Sequence, residues 1–173
     1  GGVAALTRFA GIALFPALLV EWWLGKRQRR NLIPLILIPL ATLNYFLYIH
    51  FSRGSWSLFI TSMQVWQQDQ FVLPFQTAYR YFKIFATVTP DSLMYLVAVT
   101  EFAAVVFAIV VLIKGFRLVR LSYWVYAVSY LLIPMSGGTF QGEPRYIIHA
   151  FPVILIFSQL MAKNRWRYLV MGV

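Results

Sequence analysis

Apolar and polar positions alternate along this chain in long blocks rather than residue by residue. Five apolar runs are each bounded by polar or basic residues. A helix needs about 20 mostly apolar residues to cross a bilayer, and the runs approach that length. We therefore predict five membrane-spanning helices, over residues 3–24, 32–48, 92–113, 121–135 and 146–161.

The basic clusters indicate how these helices are oriented. Residues 26–30, 114–120 and 163–167 hold ten of the fifteen Lys and Arg residues (four, three and three). Cytoplasmic loops carry an excess of Lys and Arg, so we predict that these three loops face the cytoplasm and that loops 49–91 and 136–145 face outward. The first helix then starts outside. Because residue 1 is not Met, we also expect the chain to be a piece of a longer protein.

The long outward loop 49–91 is rich in aromatic residues. Its pattern predicts one or two amphipathic helices in the membrane interface, over Ser57–Gln68 and Leu73–Phe85. Pro74 and Pro144 stand where helices often begin, at the start of the second amphipathic helix and of the fifth span. The sequence thus predicts an all-α membrane protein with about five spans and these interfacial helices.

Composition agrees with a lipid environment and excludes other classes. Hydrophobic residues make up 61% of the chain and charged residues 12%, against about half and about a quarter in soluble domains. The net charge is +10, but the basic residues lie in loop-sized clusters, which argues against a nucleic-acid partner. With no Cys and two His residues, a Cys-based or His-rich metal site is excluded. We expect no metal and no cofactor.

The outward loop 136–145 combines groups suited to binding an anion. Its glycines allow backbone conformations that point N–H groups toward an anion, and Arg145 offers a bidentate phosphate donor. Thr139 and Gln141 offer neutral hydrogen bonds, and Glu143 is a candidate base. The alternative is a short turn closed by a surface ion pair between Glu143 and Arg145.

The long outward loop contains a second group of candidates. Gln64, Trp66 and Arg80 combine an aromatic face with hydrogen-bonding groups, a mixture that binds sugars. An aromatic belt at the membrane interface, without a ligand, is the alternative. Asp69 is a candidate acid or base.

Four further polar residues have a structural and a functional interpretation. Arg8 is predicted near the outer surface, either as a snorkelling arginine or as a clamp for a lipid-linked phosphate. Glu101, inside the third span, must face protein or water, and a polar network is expected. We predict that Glu21 is a counter-ion for Lys26 or Arg30 and that Asp91 is the N-cap of the third span.

Three short segments occur in the order of the motifs of a known enzyme group. Leu6–Gly11 resembles the start of a helix with the pattern TRxxG, and Gly138–Tyr146 with the later Phe151-Pro152 resembles the pattern GTxQSxPRY…FP. Between them, Gln64-Val65-Trp66 and the later Pro74-Phe75 resemble the pattern QxxW…P. On these segments the chain resembles polytopic mannosyltransferases related to GPI mannosyltransferase II, which belong to the GT-C superfamily.

The resemblance implies transfer of a sugar, mannose in this group, from a polyprenyl-phosphate donor to an acceptor on the extracytoplasmic face. It places the protein in the bacterial plasma membrane or the endoplasmic reticulum, with membrane lipid and the lipid-linked donor as partners. It implies that Arg8 and Arg145 hold the donor phosphate. The group's presumed catalytic acidic residues precede the TRxxG helix, and Glu143 departs from the small or uncharged residue expected before Pro144. The residues expected to line the cavity are Thr7, Gln64, Trp66, Arg80, Thr139, Gln141 and Tyr146.

Two other functions remain open on the residues alone. A transporter or lipid flippase would use Arg8, Glu101 and Arg145 to line a path through the membrane. Its usual paired halves are not evident in the sequence. A membrane acyltransferase would need an active-site histidine, and His149 has no obvious acidic partner. The glycosyltransferase is the function that we expect.

Overall fold

The computed structural model describes residues 9–25, 32–55, 57–64 and 70–163. Within these ranges the chain is all-helical and contains no strand. A 3-10 turn (Phe9–Ala13) precedes the first α-helix. The α-helices are α1 (Leu14–Leu24), α2 (Ile33–Arg53), α3 (Leu58–Met63), α4 (Pro74–Thr87), α5 (Leu93–Lys114), α6 (Leu121–Met135), α7 (Glu143–His149) and α8 (Phe151–Lys163).

Two of the described helices, α2 and α5, are long and apolar enough to cross a membrane. Helices α7 and α8 add a third candidate span if the 77° bend between them is a break within one span. Helices α1 and α6 are apolar but shorter. The predicted helical class is therefore confirmed, whereas the predicted count of about five spans is not.

Several predicted helix boundaries agree with the structure to within two residues. They are those of α4, α5 and α6, and Pro74 and Pro144 lie in the first turns of α4 and α7 as expected. The second amphipathic helix is confirmed as α4. Within the first predicted range, Ser57–Gln68, the described residues form the six-residue α3, and residues 65–68 lie outside the described residues.

Three details of the predicted helices are wrong: one helix end, one unbroken span and one N-cap residue. The helix expected to end at residue 48 continues as α2 to Arg53, where Gly54 adopts a left-handed conformation (φ 73°) that terminates it. The fifth predicted span is broken at Ala150. Pro152 has no backbone N–H to donate a helical hydrogen bond, and its ring clashes with the preceding turn. The N-cap of α5 is Ser92, whose Oγ accepts from the Tyr95 N–H at 3.2 Å, and not Asp91.

Small residues let the helices pack closely. Ala108, Ala127 and Ala150 are fully buried, and small side chains at helix interfaces allow backbones to approach. Helix α1 packs along α6, and α5 packs against α4, α7 and α8. The Trp124 indole N–H of α6 donates to the Leu112 carbonyl of α5 at 3.0 Å. The core therefore runs between α5, α6 and the bent pair.

Three hydrogen bonds connect α4 and the segment before it to the end of α6 and the loop that follows. The Val72 N–H donates to the Ser136 carbonyl at 2.9 Å, and the Thr77 hydroxyl donates to the Met135 carbonyl at 3.2 Å. Arg80 Nη1 donates to the Gly138 carbonyl at 3.1 Å. These bonds hold the loop after α6, residues 136–142, over α4. We call this loop the α6–α7 loop.

Candidate functional site

The Tyr81 hydroxyl joins three elements at one end of the helical bundle. It donates to Glu101 Oε2 of α5 at 2.5 Å and accepts from the Phe140 N–H of the α6–α7 loop at 2.9 Å. Burial first, and then the hydrogen bond and the charge of Glu101, hold the pKa of the Tyr81 phenol well above its usual range. The phenol therefore keeps its proton and remains a donor to Glu101.

The sequence of α4 explains why Tyr81 faces inward. Thr77 and Tyr81 are four residues apart, lie on one helix face and are buried. Phe75, Tyr79 and Phe82 form a separate face and are 66%, 71% and 57% exposed. An inward polar face beside an exposed aromatic face is what the predicted amphipathic helix requires.

Glu101 lies about 12 Å along α5 from its first residue at 1.5 Å per residue. Its side chain is buried, and Tyr81 donates to it. The predicted polar network around Glu101 is confirmed. Aromatic rings enclose it, because Tyr81 stacks on Phe102 with ring centroids 6.2 Å apart and lies 4.8 Å from the ring of Phe140.

Glu143 is fully buried at the first position of α7, with 0% of its surface exposed. Both of its carboxylate oxygens lack a hydrogen-bond partner among the described residues. The alternative of a surface ion pair between Glu143 and Arg145 is therefore wrong. Gly142, with φ 83°, turns the chain so that Glu143 enters the core, while Arg145 is exposed.

Two exposed arginines border the α6–α7 loop. Arg80 donates to the Gly138 carbonyl, and Arg145 folds back so that its Nη2 would lie 3.5 Å from a Cβ added at Gly142. The Arg145 guanidinium also lies over the Tyr146 ring, 5.6 Å from its centroid. The structure thus brings Arg80 and Arg145, predicted from distant parts of the sequence, to the same loop.

The other predicted residues of this loop differ in burial. The Thr139 hydroxyl is buried and has no hydrogen-bond partner within the described part of the chain. Gln141 is exposed, and Tyr146 is half-buried against Tyr130, with ring centroids 6.1 Å apart. The Phe140 side chain between them is fully buried.

The remaining predicted site residues are not brought to the loop by any described contact. Gln64 is exposed directly after α3, which packs against α2. Thr7, Arg8, Trp66 and Asp69 lie outside the described residues.

Sequence reasoning missed the role of Tyr81. In the sequence it is one of many aromatic residues in the outward loop 49–91, yet in the structure it links Glu101 to the α6–α7 loop. The available signal was Glu101 itself, because an acidic residue in an apolar helix needs a hydrogen-bonding partner.

The opposite end of α6 carries an exposed ion pair and an apolar cavity. Glu21 of α1 pairs with Arg120 Nη2 at 2.9 Å. Its predicted partners, Lys26 and Arg30, lie outside the described residues. A cavity of about 290 Å³ lies between α1, α6 and the start of α8. Its lining is mainly apolar and aromatic, with Glu21 and Arg120 beside it.

Across the described ranges, no group of three or more His, Asp or Glu side chains could hold a metal ion. The chain matches no family model, no curated protein and no solved structure. Function must therefore be argued from the residues and their arrangement.

Proposed function

We propose that this chain is part of a multi-pass membrane glycosyltransferase that moves a sugar, mannose by resemblance, from a polyprenyl-phosphate donor to an acceptor. The observation that carries the proposal is the pair of exposed guanidinium groups, Arg80 and Arg145, on the glycine-bearing α6–α7 loop. A phosphate needs such donors, and arginine presents them in a planar fork.

The α6–α7 loop is suited to a lipid-linked phosphate. Gly138 and Gly142 both have positive φ, 91° and 83°, and no side chain at these positions obstructs the approach of an anion. Gln141 and Tyr146 add an amide and an aromatic ring at the same loop, as sugar binding requires.

The membrane surface is the place where such a donor meets the protein. In our proposal the aromatic face of α4 (Phe75, Tyr79 and Phe82) lies in the interface, which sets Arg80 at the level of lipid headgroups. Helices α1, α2, α5, α6 and the bent pair α7–α8 would supply the five spans. The basic clusters would put the α6–α7 loop on the extracytoplasmic face.

In the proposed reaction, Arg80 and Arg145 act electrostatically. As the sugar–phosphate bond breaks, Arg145 and Arg80 would stabilise the charge on the leaving phosphate. A carboxylate would take the proton of the acceptor hydroxyl. Glu143 is buried beneath the loop and is poorly placed for a direct approach of the acceptor, so Asp69 remains the candidate within this chain.

The test is transfer of radiolabelled mannose from polyprenyl-phosphate mannose by the full-length protein in proteoliposomes. We expect Arg145→Ala to lower transfer at least about 100-fold, since one preorganised charge donor is commonly worth that much. Arg145→Lys should recover part of the activity. Arg117→Ala, at an exposed arginine between α5 and α6, is the matched control and should transfer normally. Full activity of Arg145→Ala would contradict the proposal.

A transporter or flippase is the second candidate, and the buried Glu101 and Glu143 favour it, because ionisable residues inside apolar bundles mark transport paths. The same proteoliposomes distinguish the two functions. Movement of the labelled lipid across the bilayer without any sugar transfer would support the transporter.

A further inference from the structure

Two acidic side chains occupy the core beneath the α6–α7 loop. Glu101 and Glu143 are both buried. Among the described hydrogen bonds, the Tyr81 hydroxyl donates to Glu101, and nothing donates to Glu143. The two buried carboxylates therefore have a single identified hydrogen-bond donor between them.

This arrangement lacks compensating charge. A buried carboxylate is strongly disfavoured unless it is paired with a cation, accepts hydrogen bonds or takes up a proton. The guanidinium groups of Arg80 and Arg145 lie at the exposed side of the loop and form no ion pair with Glu143 within the ranges described. The missing positive charge must come from outside the described side chains.

In the α6–α7 loop and α7, the buried side-chain atoms without a hydrogen-bond partner are all oxygens. They are Oε1 and Oε2 of Glu143 and Oγ1 of Thr139, and each is buried. The Glu143 N–H donates to the Phe140 carbonyl at 3.0 Å, and the Phe140 N–H donates to Tyr81, which also holds Glu101. These hydrogen bonds thus connect Glu101 of α5, the α6–α7 loop that contains Thr139, and Glu143 at the start of α7.

We propose that Glu143, Glu101 and Thr139 form a buried binding site for a hard divalent cation such as Mg²⁺ or Mn²⁺. Carboxylate and hydroxyl oxygens are the ligands that such cations prefer, and two carboxylates balance two positive charges. Backbone carbonyls or water complete the coordination, and Tyr81 positions Glu101. The site does not depend on the proposed sugar transfer, and it revises our expectation that the protein binds no metal.

The experiment is a Mn²⁺ titration of the purified full-length protein in detergent at pH 8, followed by the electron paramagnetic resonance signal of free Mn²⁺. We expect saturable binding to the wild type and at least a tenfold weaker affinity in Glu143→Gln and in Glu101→Gln. Asp91→Asn is the matched control, because Asp91 is an exposed carboxylate outside the site. It should bind Mn²⁺ like the wild type.

Thermal unfolding distinguishes the loss of the cation site from misfolding of a variant. Without added cation, Glu143→Gln should melt no lower than the wild type, because a neutral amide replaces an unpartnered carboxylate. Mn²⁺ should raise the melting temperature of the wild type, EDTA should reverse this, and neither should affect Glu143→Gln. Absence of saturable Mn²⁺ binding, or unchanged binding in Glu143→Gln, overturns the proposal. The proposal is also overturned if lowering the pH, but not adding Mn²⁺, raises the melting temperature of the wild type. That result would assign a proton shared by Glu101 and Glu143 instead of a cation.

Discussion

Glu21 and Glu143 are acidic residues near opposite ends of α6, a 15-residue helix about 22 Å long at 1.5 Å per residue. Glu21 has an arginine 2.9 Å away, and this pair is largely exposed, with 38% of the Glu21 side chain and 72% of the Arg120 side chain accessible. Glu143 has no exposed surface and no partner among the described side chains. Glu21, which has a partner, is exposed to water and depends on that partner less than the buried Glu143 would.

The difference shows that burial, rather than charge, decides how much an acidic residue matters to the fold. Water screens the charge of Glu21, so its exposed pair with Arg120 contributes little. At the other end, the hydrogen bonds of Tyr81 tie Glu101 to the α6–α7 loop. Three substitutions test this comparison.

Removal of the Tyr81 hydroxyl should have the largest effect. Tyr81→Phe leaves a buried carboxylate and the buried Phe140 N–H without their partner, and such losses cost about 3 kcal/mol. We expect a lower melting temperature in detergent. Tyr79→Phe, on the exposed face of the same helix, is the matched control and should melt like the wild type. Equal melting of both variants would show that the buried network contributes nothing to stability.

Gly115→Ala, near the end of α6 where Glu21 lies, should lower the melting temperature by a smaller amount. A Cβ added there would lie 1.8 Å from Cγ2 of the buried Ile156, and overpacking of this kind costs about 1–3 kcal/mol. Gly115→Ala should therefore lower the melting temperature. In the background of Ile156→Ala, which removes the clashing methyl, the same substitution should cost less. A strictly additive double variant would exclude this contact as the cause.

Removal of the exposed charge at Glu21 should have the smallest effect. Glu21→Gln breaks the pair with Arg120, and exposed ion pairs are worth less than about 1 kcal/mol. The change should shrink further at high salt, which screens surface charges. Melting curves of both proteins at low and high salt measure it. A loss as large as that of Tyr81→Phe would refute the contrast drawn between the two ends.

The sequence alone determined the local features of this protein. The apolar run of α5 (Leu93–Lys114) specifies its own helix, and the separate faces of α4 follow from residue spacing, because side chains three and four positions apart share a helix face. The break before α8 also has a local cause in Pro152, but the apolar run around it concealed that break. The candidate arginine Arg145 was found because its glycine-rich surroundings are contiguous in sequence.

Only the tertiary structure decided which polar groups meet. Tyr81 contacts Glu101, 20 residues away, and Phe140, 59 residues away, and no periodicity within one helix specifies such contacts. The same holds for Glu143, which the sequence places beside Arg145 at the surface. A turn at Gly142 and the packing of α7 on α5 and α6 bury it instead. Burial of a single side chain depends on which elements surround it, and that is a property of the assembled bundle.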